Sequence, residues 1–146
     1  GGVEGGRRGV HGGHGDVATM ADESLTRLAA AGLRLGVSTH SYAELAVALA
    51  VEPSYISLGP VFETKSKVVG HAPQGVERLR RWRSLVPKDT PLVAIGGIRM
   101  EDVPALVEAG AQGVAVIGAL TRADNFVDAV TAWLNVLPAT QSRCNT

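Results

Sequence analysis

The sequence lacks several features that would point to particular classes of protein. Cys144 is its only cysteine, so no internal disulfide can form, which is compatible with a reducing compartment. The formal net charge is zero, and this argues against the basic surface that nucleic acids or anionic membranes attract. No apolar run reaches the roughly 18 residues that span a bilayer. We therefore expect neither a nucleic-acid nor a membrane partner.

Both ends of the chain are polar. The first eight residues, GGVEGGRR, combine glycine with charge and lack the apolar centre of a secretory signal, so we expect 1–8 to be disordered. Residues 138–146 form a polar tail, and the folded part is expected to span 9–137. Without a visible targeting segment, we expect a cytoplasmic protein, or an organelle stroma if the source is eukaryotic.

Short apolar runs rich in valine and isoleucine recur between these ends. They occur at 33–38, 55–59, 92–97 and 113–118, and such runs are typical of parallel strands with both faces buried. Segments with helical spacing and cap residues separate or follow them. These segments are 21–32, 41–53, 73–87, 100–110 and roughly 123–137. The sequence therefore predicts an α/β fold of repeated βα units.

The predicted strands end on small residues, among them Ser38, Gly59 and Gly97. In a parallel sheet linked by helices, these ends lie on one rim, where the sites of such folds are built. The loop FETKSK, at 62–67, brings hydroxyl and ammonium donors to that rim, and these suit phosphate oxygens. Taken singly, the lysines are more often solvated charges and the glycines turn residues. Their joint placement on one rim predicts an anion site.

Six segments share their order and spacing with one protein family. They are GVHGGHGD (9–16), GVSTH (36–40), LGPVFETKSK (58–67), APQG (72–75), AIGGI (94–98) and VAVIGAL (114–120). They resemble the thiamine-phosphate synthase family. GVHGGHGD, at 9–16, is similar to that family's GVHLGQED segment. The resemblance implies a TIM-type (βα)8 barrel, here a partial barrel of about five βα units. It also implies an enzyme that joins a pyrimidine pyrophosphate to a thiazole phosphate and releases pyrophosphate with Mg²⁺ present.

The resemblance implies roles for individual residues. Ser38 and Lys67 would bind the leaving pyrophosphate, whose growing charge needs positioned donors. Asp16 would help to hold Mg²⁺, because carboxylate oxygens suit that ion. The residues that bind phosphate would be Thr64, Ser66, Gly97, Ile117 and Gly118.

The chain departs from the family pattern in three places. Gly118 replaces a serine, and His14 and Gly15 replace the Gln and Glu that precede Asp16. The chain also begins near what would be the fourth strand, so the Arg/Lys-rich patch and the Asn-Asp pair of the early strands have no counterpart. Five βα units cannot close the usual barrel. We therefore expect a truncated form with little activity alone, and self-association or pairing with a complementary barrel fragment stays open.

Two alternative functions remain at this stage. The thiazole tautomerase, a relative with the same fold, would use a histidine at the position of His40. A simple hydrogen-bonded rim histidine is the plainer interpretation of that residue. The second alternative is a non-catalytic fragment that binds phosphate.

Two further patterns carry weaker hypotheses. His11, His14 and Asp16 form an H-x-x-H-x-D pattern, but glycine-rich surroundings that we expect to be mobile and the lack of a fourth ligand argue against a metal site. Four arginines flank the apolar stripe of the predicted helix 73–87, and we expect a solvated face. They are Arg78, Arg80, Arg81 and Arg83.

Overall fold

The computed structural model describes residues 9–20, 22–64 and 72–137. Its strands are β1 (Gly9–Gly13), β2 (Arg34–Thr39), β3 (Tyr55–Leu58), β4 (Leu92–Ile95) and β5 (Gly113–Ala115). Its helices are α1 (His14–Ala18), α2 (Asp22–Ala30), α3 (Tyr42–Ala50), α4 (Gly75–Leu85), α5 (Val103–Glu108), α6 (Gly118–Thr121) and α7 (Phe126–Val136). No helix within these ranges has the length and apolar character needed to cross a membrane.

The five strands form one parallel sheet in the order β1-β2-β3-β4-β5. Each strand pairs with the next along the chain, and at least one helix lies between them, which is the connectivity of a βα barrel. The register places Gly13 opposite Ser38 and Ser38 opposite Ser57. The predicted partial barrel of about five βα units is therefore confirmed, and the C-terminal strand ends share one rim.

Local signals explain most helix ends. Gly32 and Gly110, the last residues of the predicted helical segments 21–32 and 100–110, have φ values of +65° and +100° that favour glycine. Ser41 caps α3, where its Oγ accepts a hydrogen bond from the Glu44 N–H at 3.2 Å. Asn125 caps α7 through its Oδ1, so that helix begins at Phe126, three residues later than expected.

The glycine-rich segment near the start has regular secondary structure. It forms the end of β1 and all of α1. The Asp16 Oδ2 accepts a hydrogen bond from the Gly13 N–H at 2.9 Å, and this satisfies one of the donors left open at the start of the helix. Val17 anchors the short helix in the core, where it is almost fully buried.

The sheet has two different faces. On the face covered by helices, Val37, Ile56 and Leu58 are fully buried against helix side chains that include Leu79 and Trp82. The opposite face carries polar side chains of β1, β2 and β3, and we call it the inner face. Burial on both faces was predicted for every strand. In β4 the buried residues alternate with half-buried ones, and in β5 all three residues are half-buried, so the prediction is wrong for these two strands.

A buried hydrogen-bonded pair ties α4 to the end of β2. Thr39 and Trp82 are both fully buried. The Thr39 hydroxyl donates to the Ser57 carbonyl oxygen at 2.9 Å and accepts from the Trp82 indole N–H at 3.0 Å. Because buried polar groups are costly without partners, this pair fixes the helix against the rim end of the strand.

The solvated-face prediction for the arginines of α4 is wrong for two of the four. The Arg83 guanidinium donates to four oxygens beyond the helix, among them Gln112 Oε1 at 2.8 Å and the Val86 carbonyl at 2.7 Å. The Arg78 guanidinium lies over the rings of Tyr42 and Trp82 at 4.9 and 5.2 Å. These side chains hold neighbouring segments together. Arg80, which pairs with Glu77, and Arg81 are exposed as expected.

Candidate functional site

A cavity of about 500 Å³ lies at the rim, where β4 and β5 end. The backbone on both sides comes from the residues that follow these two strands. Four of the five residues predicted to bind phosphate line this cavity, and the fifth, Ser66, lies outside the described residues. The four are Thr64, Gly97, Ile117 and Gly118.

A glycine turn after β4 brings Thr64 to this cavity. Gly96 and Gly97 have φ values of +92° and +68°, a conformation that side chains rarely adopt. The segment after β3 packs directly on the turn, since the Phe62 N–H donates to the Gly96 carbonyl at 3.0 Å. A β-carbon at Gly97 would lie 2.4 Å from the Glu63 carbonyl oxygen. Glycine is therefore required here for the two loops to meet.

Arg122 fills the place that a side chain at position 118 would take. A β-carbon on Gly118 would lie 2.4 to 2.9 Å from three atoms of the Arg122 guanidinium group. The serine that the family pattern has at this position would therefore displace the arginine. The family pattern indicated only that Gly118 replaces a serine, and the cation four residues later was not among the predicted site residues. The signal was the arginine one helical turn after the glycine.

The two arginines that line the cavity differ in their ion pairing. Arg99 lies 3.0 Å from Glu101 and 3.6 Å from Asp102, so its charge is compensated. Among the residues that the structure describes, Arg122 makes no ion pair. Glu63 is the acidic residue in the lining. The cavity thus offers an uncompensated guanidinium next to glycine backbone, and this combination suits an anion.

The second predicted part of the site, around Ser38, lies on the inner face. The Ser38 hydroxyl lies 2.6 Å from His11 Nε2 and 3.2 Å from the Ser57 hydroxyl. On the other side of the imidazole, His11 Nδ1 lies 2.8 Å from the Tyr55 hydroxyl, and the two rings stack. The four side chains form one hydrogen-bonded chain across β1, β2 and β3. Of these four residues, only Ser38 was predicted to be part of the site.

This polar chain exists because β2 carries a glycine opposite the tyrosine. A β-carbon on Gly36 would lie 2.1 Å from the Tyr55 ring, so any other residue would push the ring away. The ring is held where it stacks on His11, and partial desolvation lowers the pKa of the imidazole. Burial also raises the pKa of the Tyr55 hydroxyl. The chain of hydrogen bonds is therefore built from neutral groups at neutral pH.

The H-x-x-H-x-D pattern does not form a single site. His11 points to Tyr55 and Ser38, whereas the Asp16 carboxylate binds the Gly13 N–H. His14 lies instead near Glu44, with Nδ1 3.4 Å from Oε2.

His40 is also paired with Glu44, and its Nδ1 lies 2.8 Å from Oε2. Burial favours a raised pKa for the Glu44 carboxyl, but the hydrogen bonds from the His40 side chain and backbone and the charges of both histidines lower it overall. His40 is thus a hydrogen-bonded rim histidine, oriented by a carboxylate.

The remaining predicted residues concern Mg²⁺ and pyrophosphate. Asp16 is exposed at the start of α1, and one of its carboxylate oxygens is used by the Gly13 N–H. The other oxygen could serve an ion that takes most of its ligands from water and phosphate, as Mg²⁺ commonly does. The residues present therefore fit Mg²⁺ as a single-carboxylate ligand set. Lys67 lies outside the described residues.

Comparison with known proteins gives a consistent result. A family model described as thiamine monophosphate synthase matches residues 4–120. Thiamine-phosphate synthase from Enterobacter sp. (strain 638) is 47% identical over 131 residues, which is 90% of this chain and 60% of that protein. The protein of the same name from Neisseria meningitidis is 47% identical over 123 residues, or 84% of this chain and 58% of that protein. The chain thus spans about 60% of the length of these curated relatives.

Solved structures show the same relationship. Thiamine phosphate pyrophosphorylase from Pyrococcus furiosus superposes with a TM-score of 0.67 at 28% identity, covering 88% of this chain and 58% of that one. Orotidine 5'-monophosphate decarboxylase from Sulfolobus solfataricus has a TM-score of 0.66 at 14% identity, covering 89% of this chain and 61% of that one. The second likeness concerns the fold alone.

Proposed function

The chain belongs to the thiamine monophosphate synthase family, and from this premise we propose that it carries the thiazole-phosphate site of an enzyme that makes thiamine phosphate. The reaction transfers a hydroxymethylpyrimidine group from its pyrophosphate to thiazole phosphate and releases pyrophosphate. Both substrates are small anionic molecules. The enzyme acts in thiamine biosynthesis.

One observation carries the proposal, namely the cavity at the ends of β4 and β5. Thr64, Gly97, Ile117 and Gly118 all line it, as the family resemblance requires for a phosphate site. Glycine backbone permits close approach of a phosphate group, and the Thr64 hydroxyl offers a donor. The Arg122 guanidinium supplies positive charge where the family pattern has a serine hydroxyl. In this chain, Arg122 therefore supplies part of the phosphate binding that the serine provides in the family pattern.

Ser38 and Lys67 bind the pyrophosphate that leaves during the reaction. As the pyrophosphate leaves, negative charge gathers on its oxygens, and positioned donors stabilise that charge. The 2.6 Å contact with His11 orients the Ser38 hydroxyl within the inner face. Asp16 would hold Mg²⁺, and that ion would supply further positive charge to the leaving group. Ser66 would donate to a phosphate beside Thr64.

Binding of phosphate to the cavity is the direct test. Calorimetric titration with thiazole phosphate, and separately with inorganic phosphate, should give saturable binding that Arg122→Ala weakens. Charge-assisted contacts contribute about 1.5–3 kcal/mol when buried, but Arg122 is exposed, so we expect a loss of roughly three- to tenfold. Arg81→Ala is the matched control, since this arginine is exposed on α4 and does not line the cavity. Equal losses in both variants, or no saturable binding, would contradict the proposal.

Turnover is tested by complementation. The chain alone should form little thiamine phosphate from the two substrates with Mg²⁺. Addition of a fragment from a relative that supplies the part of the barrel this chain does not span should raise turnover. In that mixture Lys67→Ala should reduce the rate strongly, and Lys65→Ala, at a position the family pattern leaves free, should not. Equal effects at the two lysines would remove the role assigned to Lys67.

A second candidate, the thiazole tautomerase reaction, is favoured by the pairing of His40 with Glu44. A histidine oriented by a carboxylate is a common arrangement for moving protons. An assay without the pyrimidine substrate separates the two reactions. It follows conversion between the thiazole isomers and compares the parent chain with His40→Asn. Isomer conversion that depends on His40, with no thiamine phosphate formed after complementation, would favour the tautomerase.

A further inference from the structure

Three side chains from separate elements meet at the rim beside β1 and β2. His14 begins α1, His40 follows β2, and Glu44 lies in the first turn of α3. Glu44 Oε2 lies 2.8 Å from His40 Nδ1 and 3.4 Å from His14 Nδ1. One ligand atom from each side chain falls within 4.8 Å of the other two. We call these residues the His-His-Glu cluster.

Two of the three separations in this cluster are close to those of ligands around one ion. Zinc binds imidazole nitrogen and carboxylate oxygen at about 2.0–2.2 Å, so two ligands of a tetrahedral site lie about 3.3 Å apart. The two separations from Glu44 Oε2, 2.8 and 3.4 Å, lie close to that value, and the ligand atoms of the two histidines lie within 4.8 Å of each other. We propose that the His-His-Glu cluster binds one divalent ion of the zinc class, and that this site is separate from the magnesium chemistry assigned to Asp16.

The choice of metal follows from the ligands. Two imidazoles and a carboxylate suit Zn²⁺, Co²⁺ and Ni²⁺, whereas Mg²⁺ prefers an all-oxygen shell. Three protein ligands also leave one tetrahedral position for water or another ligand. The ion would therefore be held without displacing the Mg²⁺ that accompanies pyrophosphate.

Hydrogen bonds and partial burial hold the side chains of the His-His-Glu cluster in position for an ion. The side chain of Glu44 is only 13% exposed, and the backbone N–H of His40 donates to its Oε2 at 2.7 Å. The cap contact from Glu44 N–H to Ser41 Oγ fixes the start of the same helix. The side chain of His14 is 42% exposed, so an ion can enter from solvent. Two ligands are thus positioned by the fold, and the third closes the site.

A bound ion would cross-link α1 to α3 across the rim ends of β1 and β2. It would also occupy a nitrogen of His40 and thereby prevent this histidine from moving protons. The site would consequently stabilise the chain and act against a tautomerase role. It does not depend on the cavity near Arg122, so its failure and the failure of the proposed function are separable.

Cobalt titration tests the site. The experiment uses the full chain with His71→Asn and Cys144→Ser, which removes one of the two histidines outside the cluster and the single cysteine as competing ligands. We expect one equivalent of Co²⁺ to bind with the visible absorption of a tetrahedral or five-coordinate complex. Zn²⁺ should displace it, and excess Mg²⁺ should not. Saturating Zn²⁺ should also raise the thermal midpoint.

Single substitutions locate the ligands. His14→Asn should weaken Co²⁺ binding at least tenfold and abolish the thermal shift, whereas His11→Asn, a histidine outside the cluster, should leave both unchanged. Glu44→Gln disturbs the start of α3 as well, so His14→Asn is the decisive variant. Absence of saturable Co²⁺ binding, unchanged binding in His14→Asn, or an equal loss in His11→Asn would each overturn the proposal.

Discussion

Replacing Thr39 by valine should destabilise the fold without touching the candidate site. Valine keeps the shape of threonine but removes the hydroxyl that links Ser57 to Trp82. The indole N–H would then be buried without an acceptor, because Trp82 is fully inaccessible to solvent. The side chain of Thr39 lies on the face covered by helices, while that of Ser38 lies on the inner face.

The expected loss of unfolding free energy is about 2 kcal/mol. An unsatisfied buried donor costs about 1–3 kcal/mol, and the lost hydrogen bond to the Ser57 carbonyl adds about 0.5–1.5. The new methyl group returns roughly 0.8 kcal/mol through burial of apolar surface. For a domain of this size, 2 kcal/mol corresponds to a drop of about 4–8 °C in the thermal midpoint. It also corresponds to a fall of about 1 M in the urea midpoint if m is about 2 kcal/mol/M.

Urea unfolding followed by tryptophan fluorescence provides the measurement. Thr131→Val is the matched control, because its hydroxyl donates to the Val127 carbonyl on the exposed side of α7, and we expect a change within about 0.5 kcal/mol. Trp82→Phe removes the donor, so its combination with Thr39→Val should be less than additive. A Thr39→Val midpoint equal to that of Thr131→Val, or strict additivity in the pair, would refute the reasoning.

Three further predictions concern the rim and the inner face. Gly97→Ala places a β-carbon 2.4 Å from a backbone oxygen at a residue with a left-handed φ. It should therefore lower the thermal midpoint and weaken phosphate binding measured by calorimetry. Gly15→Ala is the control and should do neither, because its β-carbon would have nothing within 4 Å. Gly36→Ala should cost about 1–3 kcal/mol in urea unfolding, because its β-carbon meets the Tyr55 ring; an unchanged midpoint would contradict this close contact. NMR titration should give His11 a pKa below 6.5. Since the unfolded chain then binds the proton more tightly, the stability that His11 contributes is present above pH 6.5 and is lost as the pH falls through the folded value.

Features with a local cause were predictable from the sequence. Gly32 and Gly110 end helices because glycine accepts a left-handed φ, and that signal needs no knowledge of the rest of the chain. The small residues at strand ends, such as Ser38 and Gly97, predicted the shared rim because parallel strands carry their C-terminal ends together. The partial barrel and four of the cavity residues follow from these signals together with the family resemblance.

Features that depend on contacts between distant residues were not predictable. His14 and Glu44 are 30 positions apart in sequence, and only the pairing of β1 with β2 brings them together. The solvated interpretation of Arg83 failed because its guanidinium folds back on the residues that follow α4 and reaches Gln112, which is 29 positions away in sequence. The role of Arg122 depends on the fold, because its guanidinium occupies the space that a side chain at position 118 would take.

The contact between Gly36 and Tyr55 also constrains how this sequence can evolve. Because the tyrosine ring fills the space of the missing side chain, a mutation at position 36 is harmful until position 55 has become smaller. A smaller residue at 55 in turn deprives His11 of its stacking partner and of a hydrogen bond. Positions 11, 36 and 55 should therefore change together among descendants of this gene. Where the tyrosine at position 55 has been lost, substitutions of the glycine at position 36 should be tolerated.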